Sequence, residues 1–166
     1  MEDKFHILGS WNGLLCLFYT DQCYVTLWNP SIGLEFEKSP ALDCFDDESM
    51  IMYHGFGYDH INDKYKVLVV VRRSLNERMT RMYTFGANSW TTILNFPFDP
   101  TRWVGKFVSG TLNWVFKRGV SPNQSVILSF DLIKETYKEV LLPEHDYVEV
   151  CDPIPMLGVS TLAQLI

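Results

Sequence analysis

Cysteine, histidine and basic charge are all sparse in this chain of 166 residues, and each shortage removes a class of function. The four cysteines (16, 23, 44 and 151) follow no CxxC spacing, which removes a zinc ribbon or a thioredoxin-like redox motif. Reduced thiols in a cytosolic or nuclear setting are the simplest reading. His6, His54, His60 and His145 stand at spacings that match no zinc motif. Fourteen Lys and Arg face twenty Asp and Glu, giving a net charge of -6, so nucleic acid is not expected as a general partner. No stretch approaches the roughly 18 apolar residues that cross a bilayer. Met1-Glu2-Asp3-Lys4-Phe5-His6 has acidic residues and no apolar core, unlike a secretory signal. The sequon Asn123-Gln124-Ser125 carries little weight without one.

Catalytic and cofactor motifs are equally thin. Gly55-Phe56-Gly57 precedes a strand-like run instead of a helix, so it is no phosphate loop. The acidic run Asp43, Asp46, Asp47 and Glu48 lacks the ligand order and central glycine of a calcium loop and reads as an exposed acidic loop. A Cys nucleophile with His is conceivable, for example Cys44 or Cys151 with His54, but no local feature activates any thiol; Cys16 lies in an apolar strand and reads as core. The expectation is no enzyme, no cofactor and no metal.

Aromatic residues are plentiful: five Trp, eight Tyr and eleven Phe. They suit the pleated, half-buried surface of a sheet. They also recur. Asn12-Gly13, a hairpin dipeptide, opens a first copy: Leu14–Tyr19, a turn, Cys23–Trp28, then the turn Asn29-Pro30-Ser31-Ile32-Gly33 and Leu34–Glu37. A second copy runs from Gly55 through the strand Tyr65–Val71, an Arg-rich loop, Thr80–Phe85 and Trp90–Ile93. A third runs from Gly105 through Thr111–Phe116, Val126–Phe130 and Tyr137–Val140. Tyr83 to Trp90 and Phe130 to Tyr137 share a seven-residue interval, and Leu27 to Leu34 is matched to them in the first copy. A period near fifty residues, with three or four short strands per unit, is the pattern of propeller blades. The predicted fold is all-β: antiparallel blade-like repeats forming a partial or open, kelch-like β-propeller. Only the tail Val159–Ile166 has a helical look.

The same residues resemble a known family. Gly9-Ser10-Trp11-Asn12-Gly13-Leu14-Leu15-Cys16-Leu17 with Leu27-Trp28-Asn29-Pro30-Ser31 is similar to the opening of the F-box-associated domain of plant F-box proteins, a group that includes S-locus F-box-like proteins. Gly55-Phe56-Gly57-Tyr58-Asp59 with Asp63–Val67, Tyr83–Trp90, Gly105–Trp114 and Ser129–Pro143 resemble its later landmarks, in the same order. The resemblance spans roughly residues 9 to 146, leaving 1–8 as an N-terminal extension and 147–166 as a diverged or truncated tail. It implies a protein-interaction module that recognises substrate for an SCF-type ubiquitin ligase. Only eight residues precede Gly9, so a SKP-type linker is expected as a partner only where an F-box lies upstream. The alternatives are a fragment or paralogue that binds protein without ubiquitination, and a propeller enzyme.

For binding, the inter-strand loops 43–53, 72–81 and 117–124 are the expected contact regions. Their candidate anchors are Arg72, Arg73, Arg78, Arg81, Lys117 and Arg118, joined by Trp11 and Trp103 in turn-like contexts. The bland reading of the arginines is a solvated loop. Trp28, Trp90 and Trp114 are expected between blades.

Overall fold

In the computed structural model the described residues are 4–43, 50–97, 99–100, 103–117 and 125–142. Among them are twelve strands and no helix. They form three four-stranded antiparallel meanders. The first holds β1 (Phe5–Trp11), β2 (Leu14–Tyr19), β3 (Tyr24–Asn29) and β4 (Leu34–Glu35). The second holds β5 (Met50–Asp59), β6 (Lys64–Arg72), β7 (Arg78–Thr84) and β8 (Thr91–Ile93). The third holds β9 (Val104–Val108), β10 (Thr111–Lys117), β11 (Ser125–Asp131) and β12 (Thr136–Leu141). The second and third join into one eight-stranded sheet through a short parallel pairing of β5 with β9, His54 opposite Val104 and Gly55 opposite Gly105. This is the all-β, partial-propeller architecture that the repeat pattern predicts. The inner strands β1, β5 and β9 complete four strands per unit, and β1 takes in Phe5–Leu8 ahead of Gly9.

Local chemistry fixes the turns. Asn12-Gly13 and Ser109-Gly110 each place two successive residues at positive φ (49° and 76°; 47° and 85°), the mirror-image turn whose twist matches a hairpin. Elsewhere an Asx carboxylate or amide opens a longer turn. Asp59 Oδ1 accepts from the Ile61 and Asn62 amides (3.1 and 3.0 Å), and Asp63 closes the turn at φ 54°. Asp131 Oδ1 accepts from Ile133 and Lys134 (both 2.9 Å), with Glu135 at φ 56°. Asn29 accepts from Ser31 (3.0 Å), with Gly33 at φ 64°.

These turns correct the register expected for the first unit. Phe130 is opposite Tyr137, and Asn29, the counterpart of Asp131, is opposite Leu34. The residues equivalent to Phe130 and Tyr137 are therefore Trp28 and Glu35, which do pair, and not Leu27 and Leu34. A slip of one residue changes face: Leu27 is buried, whereas Leu34 is 48% exposed. The other two seven-residue pairs do meet, Tyr83 on Trp90 with ring centres 5.3 Å apart and Phe130 on Tyr137 at 5.0 Å.

Alternation sends the two faces of each middle strand to different neighbours. Val67, Val69, Val71 and Tyr83 pack against Cys16, Phe18, Val25 and Leu27 of the first unit. Leu68, Val70 and Met82 face Leu112, Trp114, Val126 and Phe130 of the third. This explains why Val67–Val71 reads as a continuous apolar run: β6 is covered on both sides. Of the three tryptophans expected between units, Trp114 is 1% exposed, while Trp28 and Trp90 are only partly buried because both lie at strand ends. The Trp114 indole lies over the inner strands, where a Cβ on Gly55 would come within 3.1 Å of it and one on Gly105 would overlap it.

Candidate protein-binding rim

Strand direction sorts the candidate residues between two ends of the stack. β5 and β9 run parallel, and His54 ties all three inner strands: its amide donates to Trp103 O and its Nδ1 to Leu8 O, both at 2.9 Å. Burial, opposed in part by the Leu8 bond, lowers the His54 pKa. Trp11 meets Phe107 edge-on at 4.7 Å, so β1 runs the same way. The end where β5 and β9 start, here the upper rim, therefore carries the β6–β7 hairpin, the end of β10, the start of β11 and Trp103 at the entry to β9. The lower end carries the hairpins 12–13 and 109–110 and the Asx turns.

Arg72, Arg73, Arg78 and Trp103 thus share the upper rim, together with the end of β10 at Lys117; Trp11 belongs to the opposite end. Arg118 and most of the 117–124 loop lie outside the described residues. The expected Arg-rich loop is shorter than the sequence suggests. β6 and β7 extend through Arg72 and Arg78, which are register partners, and only residues 73–77 turn. Arg78 is also not a free solvated cation. It makes a two-pronged contact with Asp99, with Nη2 to Oδ2 at 3.3 Å, and Tyr53 Oη donates to the same carboxylate at 3.2 Å. The Arg78 hydrogen bond holds the Asp99 pKa below its ordinary value, and burial together with the Asp99 charge raises that of Tyr53. Arg73 pairs with Glu77 at 3.9 Å.

Arg81 sits mid-strand on β7, away from the rim. It donates to Thr92 Oγ1 (2.6 Å) and pairs with Asp43 (3.3 Å), pinning the segment that follows β4. That segment runs beside β3 through Ser39 and Leu42, whose amides donate to Val25 O and Cys23 O. Trp90 Nε1 donates to Pro40 O at 2.9 Å across a groove of about 190 Å³ that Arg81 and Leu42 also line.

Sequence reasoning missed the best-connected polar group in the core. Lys66, 6% exposed, bridges the second and third units: Nζ is 3.1 Å from Asp59 Oδ2, donates to Leu132 O at 2.6 Å, and lies 3.5 Å from Glu135. Burial alone would raise the Asp59 carboxyl, but hydrogen bonds from Asn62 and Lys66 outweigh it and hold the pKa at about 2. The available signal was a lysine at an inward position of an apolar strand, seven residues after a turn aspartate.

Nothing in the described residues assembles a catalytic set. Burial pushes the Cys16 thiol far up, away from nucleophilic thiolate. No group of three metal-ligating side chains occurs among the described residues. Cys44 and Cys151 lie outside them.

Comparison with known proteins agrees with this architecture. The model of the F-box associated beta propeller domain matches residues 1–154. An F-box/kelch-repeat protein of Arabidopsis thaliana is 31% identical over 146 residues, covering 84% of this chain and 39% of that protein. A putative F-box protein of the same plant is 27% identical over 138 residues, covering 81% and 36%. The chain therefore spans about two fifths of the length of these relatives.

Proposed function

Because the chain belongs to the F-box associated beta propeller domain family, we propose that it is the partner-capture module of an F-box protein, presenting a bound substrate protein to an SCF-type ubiquitin ligase. The observation that carries this reading is the family match over the whole described fold, with relatives that are themselves F-box proteins. The architecture supports it physically: stacked sheets hold the loops of one end on a rigid base, the arrangement in which loops do the binding. In this reading the protein works by binding and not by catalysis, and it operates in the cytoplasm or nucleus. A SKP-type linker joins the complex through an F-box elsewhere in the protein.

The test uses the F-box protein that carries this domain, purified from plant cells with the proteasome inhibited. Two proteins should co-purify, the linker and a ubiquitinated substrate. Deleting residues 5–142 should abolish recovery of the substrate and leave the linker bound. Loss of the linker instead, or unchanged substrate ubiquitination after the deletion, overturns the reading.

A further inference from the structure

We infer that the face of the first sheet turned away from the second unit is an internal docking surface. In the whole F-box protein it is covered by a further four-stranded unit of that same protein. The inference rests on the chain being part of an F-box protein, not on the capture of a substrate. Alternation sends Cys16, Phe18, Val25 and Leu27 to the second unit, and Leu15, Leu17 and Trp28 to the opposite face. That opposite face has a counterpart in the third unit. The hairpins Asn12-Gly13 and Ser109-Gly110, with the Asx turns at Asn29 and Asp131, set the two units in register. Leu15 is opposite Trp28 as Leu112 is opposite Phe130. Leu15, Leu17 and Trp28 therefore correspond to Leu112, Trp114 and Phe130, which pack with Leu68, Val70 and Met82 of the second unit. Leu112, Trp114 and Phe130 are 0%, 1% and 0% exposed.

What encloses the counterpart is a four-stranded sheet, and the first face has the composition for the same contact. A sheet with one solvated face alternates apolar with polar residues. Leu14–Phe18 does not alternate: it is apolar throughout, as Val67–Val71 is, and β6 is covered on both sides. The face continues onto β1, where Ile7 is opposite Leu17 and Phe5 is opposite Tyr19 with ring centres 5.8 Å apart. Ile7 is 55% and Phe5 49% exposed, and Leu15 and Trp28 are half-buried where Leu112 and Phe130 are enclosed. The chain spans 39% of one F-box relative and 36% of another, so a protein of that length has the residues for further units.

The experiment places the photo-cross-linker p-benzoylphenylalanine at Ile7 of the whole F-box protein and maps the joined peptides by mass spectrometry. Ile61, 67% exposed at the lower end, carries it as the control. Position 7 should join, within one molecule, to an apolar strand segment outside residues 1–166 and outside the F-box. Position 61 should not join to that segment. Ile7→Lys should also lower the melting temperature of the whole protein by about 5 °C or more, and that of the 166-residue chain alone by less than about 2 °C. A joint to the F-box, to residues 143–166 or to a second copy, no joint at all, or an equal shift in both proteins each overturns the inference. A joint to a bound substrate overturns it as well, and then the interaction role survives and moves to this face.

Discussion

Replacing Lys66 with methionine tests how the second and third units are held together. The substitution keeps most of the apolar stem and removes the ammonium, leaving Asp59 ionised, 0% exposed and without its counter-charge. Breaking a buried pair from one side costs about 3–5 kcal/mol. Asp59 retains donors from the Ile61 and Asn62 amides and from Asn62 Nδ2 at 2.8 Å, so we expect the low end, about 3 kcal/mol. The acid side gives an independent check. The folded pKa of Asp59 is held at about 2, against 3.8 for the free group. A depressed carboxylate contributes its stability above its unfolded pKa and loses it as pH falls through the folded one, here on the order of 2 kcal/mol between pH 3.8 and 2. The gap between wild type and Lys66→Met in urea unfolding, followed by tryptophan fluorescence, should therefore be widest near pH 7 and shrink as the pH falls towards 2. A loss under about 1 kcal/mol at pH 7, or a gap that stays constant into acid, would refute the bridge as a stabilising contact.

Two further outcomes follow from the packing. Trp114→Ala should cost about 4 kcal/mol because its ring is enclosed between two units, while Trp90→Ala, half-buried and losing one hydrogen bond to Pro40, should cost about 1–2 kcal/mol; urea midpoints of the two variants check the order. His54 has a lowered pKa, so the unfolded chain takes up its proton first and stability should fall as pH drops below about 6.5, by up to about 1.4 kcal/mol per pH unit, a slope that His54→Asn should flatten.

The sequence revealed what depends on short-range chemistry. Asn12-Gly13 and Ser109-Gly110 announce their hairpins because few residue pairs tolerate two successive positive φ angles. Tyr65–Val71 announces a strand covered on both faces because Val67–Val71 is apolar throughout. What misled was anything decided by pairing across the chain. The Leu27–Leu34 match failed because two aliphatic residues seven apart satisfy the interval in either of two registers, and only the Asx turn at Asn29 chooses between them. The inner strands were under-read because β1 mixes exposed and buried positions: Phe5 and Ile7 are exposed, Leu8 is buried, and no alternation stands out. The candidate rim was legible as a list of loops but not as a place. Arg81 looked equivalent to Arg78 in sequence, and three residues along a strand were enough to turn it into a tie to Asp43.

Frame and rim are separated in the structure, so the rim can vary without a change of fold. The contacts that hold the units and join them lie at interior positions of little chemical freedom. Gly57 must lack a side chain for the Phe107 ring to cross it, Gly105 must lack one for Trp114, and Lys66 must reach the Leu132 carbonyl from the neighbouring unit. None of these reaches the β6–β7 turn. Residues 73–77 close on themselves, with the Arg73 amide donating to Glu77 O at 2.9 Å, and Leu75 projects into solvent. A substitution at Leu75 therefore leaves the interior packing intact, whereas a methyl group at Gly57 or Gly105 collides with Phe107 or Trp114 within the eight-stranded sheet. The segments that contribute least to holding the stack together are therefore the ones free to vary.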